Sequence, residues 1–454
     1  LKIIIVGAGE VGFHIASHLA LENKDVVVID SNSEAIRRVS DNLDVQTVTG
    51  SGSSPVILEE AGIKEAEIIL AVTDKDETNM VASLVADILS PTTKKLARLR
   101  NADFDDFHVT FNKHAPHIDT LINPEIEVVK TIDRLMHMPG AVDVGEFADG
   151  RVKFVGIQLE KEASVTNFKL SGISSGTGIH LPLIAAIVRN DELIIPTGDD
   201  KLRAGDTLYF VSEDKKLPEA FAIFGKHAEP VKRVLIVGGG RIGFRLARHL
   251  EKQSVYTKII EKDYNRCHML ADKLNKTIVL HGDGSDQELL REENIHDTDI
   301  IITLTNDEEI NILISLLAKK MGVNKTITKI SKFSYFPLMS MIGLEQIVNS
   351  RLSAINSILQ HIRRGNVLSA ISIKGDKAEV LEAVAMETSD IVDKPLKEIS
   401  FPKGALITVI IHKNDIIIPS GSSMIKPGDR IIIFARKEAI PNIEKILAVK
   451  LEFF

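Results

Sequence analysis

The chain has 454 residues, 44% hydrophobic and 26% charged, so three or four domains of ordinary globular composition are expected. Lys plus Arg number 55 against 63 Asp plus Glu, and the resulting net charge of −8 excludes nucleic acid held by bulk charge. The single cysteine, Cys267, excludes an internal disulfide framework or thiolate metal cluster and fits a reducing cytosol.

The predicted elements follow from hydrophobic periodicity. Ile3–Val6 reads as a buried strand running into Gly7-Ala8-Gly9-Glu10-Val11-Gly12, and Phe13–Leu21 as the helix leaving it. Val26–Ile29 is a second strand closed by Asp30, Glu34–Val39 a second helix, and Ile68–Val72 the fourth strand, ending at Thr73-Asp74. A longer helix is expected at Pro124–Met136, with Asn123 as N-cap and Pro124 at the first helical position. Gly140–Gly150 and Lys215–Pro230 read as linkers around a strand-rich part, in which the alternation of Thr207–Val211 after Gly205-Asp206 predicts a hairpin. The longest apolar runs, such as Ala405–Ile411 and Ile300–Leu304, are far below the roughly 18 residues of a spanning helix. With no signal-like segment before Lys2–Val6, a soluble cytoplasmic chain is expected.

The second half repeats the first. Gly238-Gly239-Gly240-Arg241-Ile242-Gly243 recurs 231 residues after the first glycine loop, and Glu261 closes Lys258–Ile260 as Asp30 closes its strand. Gly50-Ser51-Gly52-Ser53 returns as Gly282-Asp283-Gly284-Ser285, Thr73-Asp74 as Thr305-Asn306, and Asn79 as Asn311. The linking helix returns near Ser350–Ile362, and Ile194–Gly198 with Ala204-Gly205-Asp206 returns as Ile417–Gly421 with Pro427-Gly428-Asp429. Arg430–Phe434 then reads as a second hairpin strand. The fold class is therefore α/β: two tandem Rossmann-type doubly wound parallel-sheet domains, each followed by a small α+β domain. The expected divisions are 1–138, 139–226, 227–364 and 365–454.

Each glycine loop lies between a strand and a helix, with an acid closing the next strand 18 residues after the last glycine. Gly7 and Gly238 permit the tight turn, Gly9 and Gly240 let backbone approach a pyrophosphate, and Gly12 and Gly243 let helix pack on sheet. Loop N–H groups and the helix dipole favour phosphate, while Asp30 or Glu261 accepts from a ribose diol and repels a 2′-phosphate. NAD(H) is thus preferred over NADP(H), and ATP or ADP, which share the diol, remain alternatives. The competing reading is a degenerate domain that keeps its glycines for packing.

Thr73, Asp74, Thr305 and Asn306 border the crevice or cap the following helix. Arg98 and Lys329 end the next strands and either face a phosphate or sit solvated. Asp283 replaces Ser51, and Arg241 replaces Glu10, where a cation suits a more highly charged phosphate chain, so unequal sites are expected. His14 and His18 have metal-like spacing but no third ligand, favouring a helix surface or subunit contact. His108, His114 and His117 are expected in a packed or solvated loop, and Cys267 in a structural helix position. No catalytic or metal-binding residue is assigned.

These residues resemble the RCK (KTN) regulators of potassium channels and transporters, and within them the tandem regulatory subunits of Trk-type potassium uptake. The resemblance covers essentially the whole chain. It implies a non-enzymatic cytoplasmic subunit, peripheral on the inner face of the membrane, assembling as a homo-oligomeric ring, a tetramer, beneath a Trk/Ktr-type membrane transporter. By the same resemblance, Gly7, Ala8, Gly9, Glu10, Val11, Asp30, Thr73, Asp74 and Arg98 would line one nucleotide site. Gly238, Gly239, Gly240, Arg241, Ile242, Glu261, Asn306 and Lys329 would line the other. An NAD-dependent oxidoreductase and a nucleotide-sensing subunit of a different transporter are the competing functions.

Overall fold

Runs of valine and isoleucine favour pleated, buried strands, and in the computed structural model they build four sheets. The structure describes residues 1–22, 24–101, 104, 108–138, 140–171, 181–190, 192–226, 230–344, 346–362, 367–373 and 377–447. The first sheet comprises β1 (Lys2–Val6), β2 (Asp25–Asp30), β3 (Gln46–Thr49), β4 (Ile68–Ala71), β5 (Lys94–Arg98) and β6 (Thr120–Ile122). Its strands are all parallel, in the order β3-β2-β1-β4-β5-β6 of a doubly wound nucleotide-binding sheet. Between them run α1 (Glu10–Leu21), α2 (Ser33–Asn42), α3 (Pro55–Glu60), α4 (Asp76–Leu89) and α5 (His108–Lys113), and α6 (Pro124–His137) follows. Alternation along β1 and β2 sends Ile3, Ile5, Val26 and Val28 to one core, with Ile15 and Leu19 of α1. Ile4, Val6, Val27 and Ile29 go to the other, with Ala82 and Ala86 of α4.

An antiparallel sheet comes next: β7 (Ala141–Phe147), β8 (Val152–Gln158), β9 (Leu183–Arg189), β10 (Glu192–Ile194) and β11 (Thr207–Glu213), ordered β10-β9-β11-β8-β7 and followed by α7 (Leu217–Ile223). The second parallel sheet repeats the first with β12 (Arg233–Val237), β13 (Tyr256–Glu261), β14 (Ile278–His281), β15 (Ile300–Thr303), β16 (Lys325–Lys329) and β17 (Gln346–Val348). Its helices are α8 (Arg241–Lys252), α9 (Tyr264–Lys273), α10 (Gln287–Glu292), α11 (Glu308–Lys320), α12 (Phe336–Met341) and α13 (Ser350–Ile362). The last antiparallel sheet, with β18 (Val367–Ile373), β19 (Ala378–Val384), β20 (Ala405–His412), β21 (Asp415–Ile417) and β22 (Arg430–Arg436), precedes α14 (Ile440–Leu447).

The chain divides into two compact units. One holds residues 1–127 together with α13, whose Ala354, Ile355, Ile358 and Leu359 enter the same core as Ile3 and Ile15. In the other, Val128, Ile132, Leu135 and Met136 of α6 pack with Ile242, Leu246 and Leu250 of α8. The two antiparallel sheets of that unit meet face to face, where Phe154 stacks on Phe434 with centroids 6.0 Å apart and planes 6° apart.

Several expectations are corrected. Gly140–Gly150 is not a linker, because Ala141–Phe147 is an edge strand. Gly145 blurs its pattern; a Cβ there would stand 2.9 Å from Ile371 Cδ1, so that side chain would have to shift to admit a larger residue. Lys215–Pro230 contains α7, which buries Leu217, Ala220 and Phe221 and carries Pro218 in its first turn, where no N–H is lost; residues 227–229 lie outside the described set. Thr207–Val211 and Arg430–Phe434 are not hairpin strands but central strands, β11 between β8 and β9 and β22 between β19 and β20. The expected linking helices appear as α6 and α13, and Asn123 Oδ1 accepts from Glu125 N at 3.1 Å. The division points at 139, 227 and 364–365 fall on residues outside the described set.

Candidate functional site

The first glycine loop leaves β1 through Gly7, whose φ of +114° is readily open only to glycine. Gly12 touches the loop from behind: a Cβ there would lie 1.8 Å from Gly7 O. Ala8, Val11 and Gly12 are buried, whereas Gly9 faces open space, a Cβ on it meeting nothing within 4 Å. In front lies a cavity of about 590 Å³ lined by Gly7, Gly9, Asp30, Asn32, Ser51, Gly52, Thr73, Asp74, Lys75 and Thr78, among others. Glu10 and Arg98 are not among its lining residues.

Asp30 ties the next strand to the loop. Its Oδ2 accepts from Ala8 N at 2.6 Å and its Oδ1 from Asn32 N at 2.8 Å. A carboxylate offers about four acceptor positions, so roughly two remain for a diol. Asn32 in turn caps α2, accepting from Glu34 N and Ala35 N.

Glu10, the first residue of α1, carries a network that sequence reading missed. Arg38 Nη1 donates to its Oε1 at 2.6 Å and Arg351 Nη1, from α13, to its Oε2 at 3.1 Å. The bond from Arg38 holds the Glu10 carboxyl below its ordinary value against partial burial, and the Arg351 charge adds to this. Arg38 Nη2 also donates to Ala8 O at 3.1 Å, so one guanidinium grips both loop and helix. No local pattern pairs residues 341 positions apart; the only available signal was that α2 places a cation one strand from the loop.

Thr73 lines the cavity, and its N–H and hydroxyl are also tied into the fold. Fully buried Asn79 accepts from Thr73 N (2.9 Å) and Thr73 Oγ1 (2.7 Å) and donates to Thr73 O (3.1 Å) and Arg98 O (2.8 Å). This amide locks the end of β4 to the end of β5. Asn79→Leu leaves those groups without partners, and a loss of about 3–5 kcal/mol is expected; chemical denaturation followed by circular dichroism checks it.

Arg98 is largely buried rather than solvated, and its Nε has no hydrogen-bond partner. Burial first, then the neighbouring Arg100, holds its guanidinium down to about 10, partly opposed by Asp76, Glu125 and Asp74. Arg98 thus ends β5 with one buried, unpartnered nitrogen, outside the lining of the cavity. The open Gly9 and the diol-ready Asp30 in the cavity fit an adenine nucleotide.

The second loop repeats this frame with different side chains. Gly238 has φ +105°, a Cβ on Gly243 would lie 2.0 Å from Gly238 O, and the space before Gly240 is open. Glu261 Oε2 accepts from Gly239 N at 2.8 Å and its Oε1 from Asp263 N at 2.9 Å. Ile242 is buried, while Arg241 and Asn306 are exposed. Arg266 Nε replaces Arg38 on the loop carbonyl, reaching Gly239 O at 2.5 Å from an earlier turn of its helix. Asn311 repeats the Asn79 network on Thr305 and Lys329 O. Lys329 Nζ donates to Thr305 O at 3.1 Å, unlike Arg98. Asp283 is held down to about 2 by Ser285 N, then Lys262 and the Ser285 hydroxyl, so its oxygens serve its own loop.

His18 is buried rather than on a helix surface, His14 is half-buried, and His117 Nδ1 pairs with Asp87 at 2.7 Å. The side chain of His108 lies outside the described set. Among the described residues no cluster of three His, Cys, Asp or Glu is placed to hold a metal. Cys267 is buried, and burial pushes its thiol up, with Glu261 and Asp263 adding.

The TrkA-N domain model matches residues 3–124 and 234–350, and the TrkA-C domain model residues 183–225 and 380–448. The Trk system potassium uptake protein TrkA homolog 2 of Methanosarcina mazei is 36% identical over 453 residues, covering 98% of this chain and all of that one. TrkA of Halomonas elongata is 36% identical over 462 residues, covering both chains fully. The chain belongs to the TrkA family. The crystal structure of the GsuK RCK domain has the same fold, with a TM-score of 0.59 at 17% identity over 98% of this chain and 94% of that one. TrkA-N matches both glycine-loop domains, so the duplication is a duplication of family modules. Among the described residues no helix is long and apolar enough to cross a membrane.

Proposed function

We propose that this TrkA-family chain is a nucleotide-sensing regulatory subunit of a Trk-type potassium uptake system, itself without catalytic activity. The observation that carries it is the twice-built cradle: an open glycine, a strand-closing carboxylate bound to the loop, and a buried amide locking the neighbouring strand ends. The lining of the first cavity holds hydroxyls, an amide, Lys75 and two carboxylates, and one of these carboxylates, Asp30, is already bonded to the loop N–H of Ala8 and to Asn32 N. NAD(H) is the favoured ligand, and ATP and ADP share the features that Asp30 reads. The GsuK channel, of the same fold, has a structure bound to NAD. The site residues are those named above in the two loops, and the lobes divide at 138, 226 and 364.

A subunit of this kind sits at the cytoplasmic face of the membrane as a ring of copies, a tetramer, against a Trk/Ktr-type transporter. It gates ion flow only if the nucleotide binds two ring conformations unequally. Net charge −8 gives no electrostatic attraction to lipid, so attachment goes through protein contacts.

The test is Rb⁺ uptake in cells lacking the chain, complemented with the intact protein or with Asp30→Ala plus Glu261→Ala, alongside calorimetric titration of both with NADH and ATP. Rescue by the intact chain alone is expected, with affinity lowered about 10- to 100-fold in the double variant. Rescue by both would make the acids dispensable; no rescue by the intact, well-expressed chain would sink the transport role.

A further inference from the structure

The second residue of the glycine loop is held through both of its backbone groups in each parallel-sheet domain. Ala8 N donates to Asp30 Oδ2 at 2.6 Å, and Ala8 O accepts from Arg38 Nη2 at 3.1 Å. In the second domain Gly239 N donates to Glu261 Oε2 at 2.8 Å, and Gly239 O accepts from Arg266 Nε at 2.5 Å. The two arginines do not stand at matching positions: Arg38 is the sixth residue of α2 and Arg266 the third of α9. A guanidinium reaches the same carbonyl by two routes, which points to the grip itself as useful. Ala8 C=O and Gly9 N–H belong to one planar peptide, so holding the oxygen also sets the direction of that N–H. Gly9 is the residue that lines the open cavity.

In the first domain the grip extends to a helix from far along the chain. α13 buries Ala354, Ile355, Ile358 and Leu359 in the core that holds Ile3 and Ile15. Arg351 stands one turn ahead of Ile355 on the same face, which carries its guanidinium to the start of α1. There Arg351 Nη1 donates to Glu10 Oε2 at 3.1 Å, and Arg38 Nη1 to Glu10 Oε1 at 2.6 Å. One carboxylate thus joins two guanidinium groups, and the second of them ends on the loop carbonyl. The other end of α13 is tied separately, His361 O accepting from Lys94 Nζ at 3.1 Å.

We propose that Arg351, Glu10 and Arg38 form a relay through which docking of α13 and nucleotide binding at the first loop strengthen each other. This rests on the reading of that loop as a nucleotide site. A docked α13 fixes Glu10, Glu10 fixes Arg38, and Arg38 holds the peptide whose N–H a phosphate would use. Ordering the loop beforehand lowers the cost of binding. Reciprocity then requires the bound nucleotide to tighten α13 by the same factor. All three side chains are positioning residues, and the first loop is coupled through them to a helix supplied by the second half of the chain.

Calorimetric titration with NADH tests the relay, in a Glu261→Ala parent so that the first loop dominates. Methionine keeps the apolar stem of each arginine. Arg351→Met is expected to weaken binding about fivefold and Arg38→Met about tenfold. Arg351→Met added to Arg38→Met is expected to cost nothing more, because the path to the loop is already cut. A full loss in that background would mean that Arg351 acts by its charge alone and would overturn the relay, as would unchanged affinity in Arg351→Met. Glu10→Gln, which keeps the shape and drops the charge, is expected to match Arg351→Met and replaces it if that variant does not fold.

Hydrogen–deuterium exchange without nucleotide decides the relay even if the parent does not bind NADH, the outcome that sinks the nucleotide reading instead. Arg351→Met is expected to speed exchange in residues 7–12 about fivefold, whereas Lys94→Met, which releases only the far end of α13, leaves them unchanged. Unchanged exchange in Arg351→Met, or equal acceleration by Lys94→Met, overturns the proposal.

Discussion

Nucleotide binding by the first glycine loop is expected to disappear in Gly12→Ala. The added Cβ would stand 1.8 Å from Gly7 O and 3.0 Å from Gly7 C, and these are backbone atoms that no rotamer change moves. Relief requires α1 to lift from β1, which draws Ile15, Ala16 and Leu19 out of their core. The cost is on the order of 3–5 kcal/mol, comparable to severe overpacking, and the displaced loop no longer aims its N–H groups at a phosphate. Calorimetric titration with NADH and thermal unfolding measure both losses. Gly243→Ala is the matching change in the second loop, where the clash is 2.0 Å from Gly238 O. Unchanged affinity in both variants would remove the loops from the binding site.

Arg98→Met is expected to move stability and affinity in opposite directions. Its guanidinium is mostly buried, and Nε lacks a partner, so without an anionic ligand it costs the fold more than a methionine of similar reach. Loss of that charge should stabilise the nucleotide-free chain by about 1–2 kcal/mol, while affinity for nucleotide falls about 10- to 100-fold. The pH sign agrees. Burial holds this cation's titration down to about 10, so its penalty is full at neutral pH and eases only as pH rises past that value. Urea unfolding at pH 7 with and without NADH separates the two effects. A variant less stable than the parent without ligand would mark Arg98 as structural and overturn its assignment to phosphate.

Much of this molecule was legible along the chain. Strand, loop and helix in Ile3–Leu21, the acids closing β2 and β13, and the linking helices at Pro124 and Ser350 all rest on chemistry within a few residues: β-branched runs, glycine turns, an Asn cap before Pro. The internal repeat made each reading twice, which is why the parallel sheets and the glycine loops could be located from residue order. Where local chemistry was ambiguous the reading failed. Gly140–Gly150 resembled a linker because Gly145 interrupts the alternation of the strand within it, and only the packed structure shows Ile371 Cδ1 standing opposite that glycine. Thr207–Val211 and Arg430–Phe434 were read as hairpin strands because turn residues precede them, yet each takes partners distant in sequence.

By itself, then, the sequence determined the class of fold, its duplication, the two loops and the acids that face them, since each depends on conformational preferences of neighbouring residues. The tertiary structure alone decided that α13 docks beside the first sheet and brings Arg351 to Glu10, and that Asn79 ties Thr73 to the Arg98 carbonyl. Those pairings depend on which surfaces exclude water together, and that is a property of packing between residues tens to hundreds of positions apart, which no local periodicity encodes.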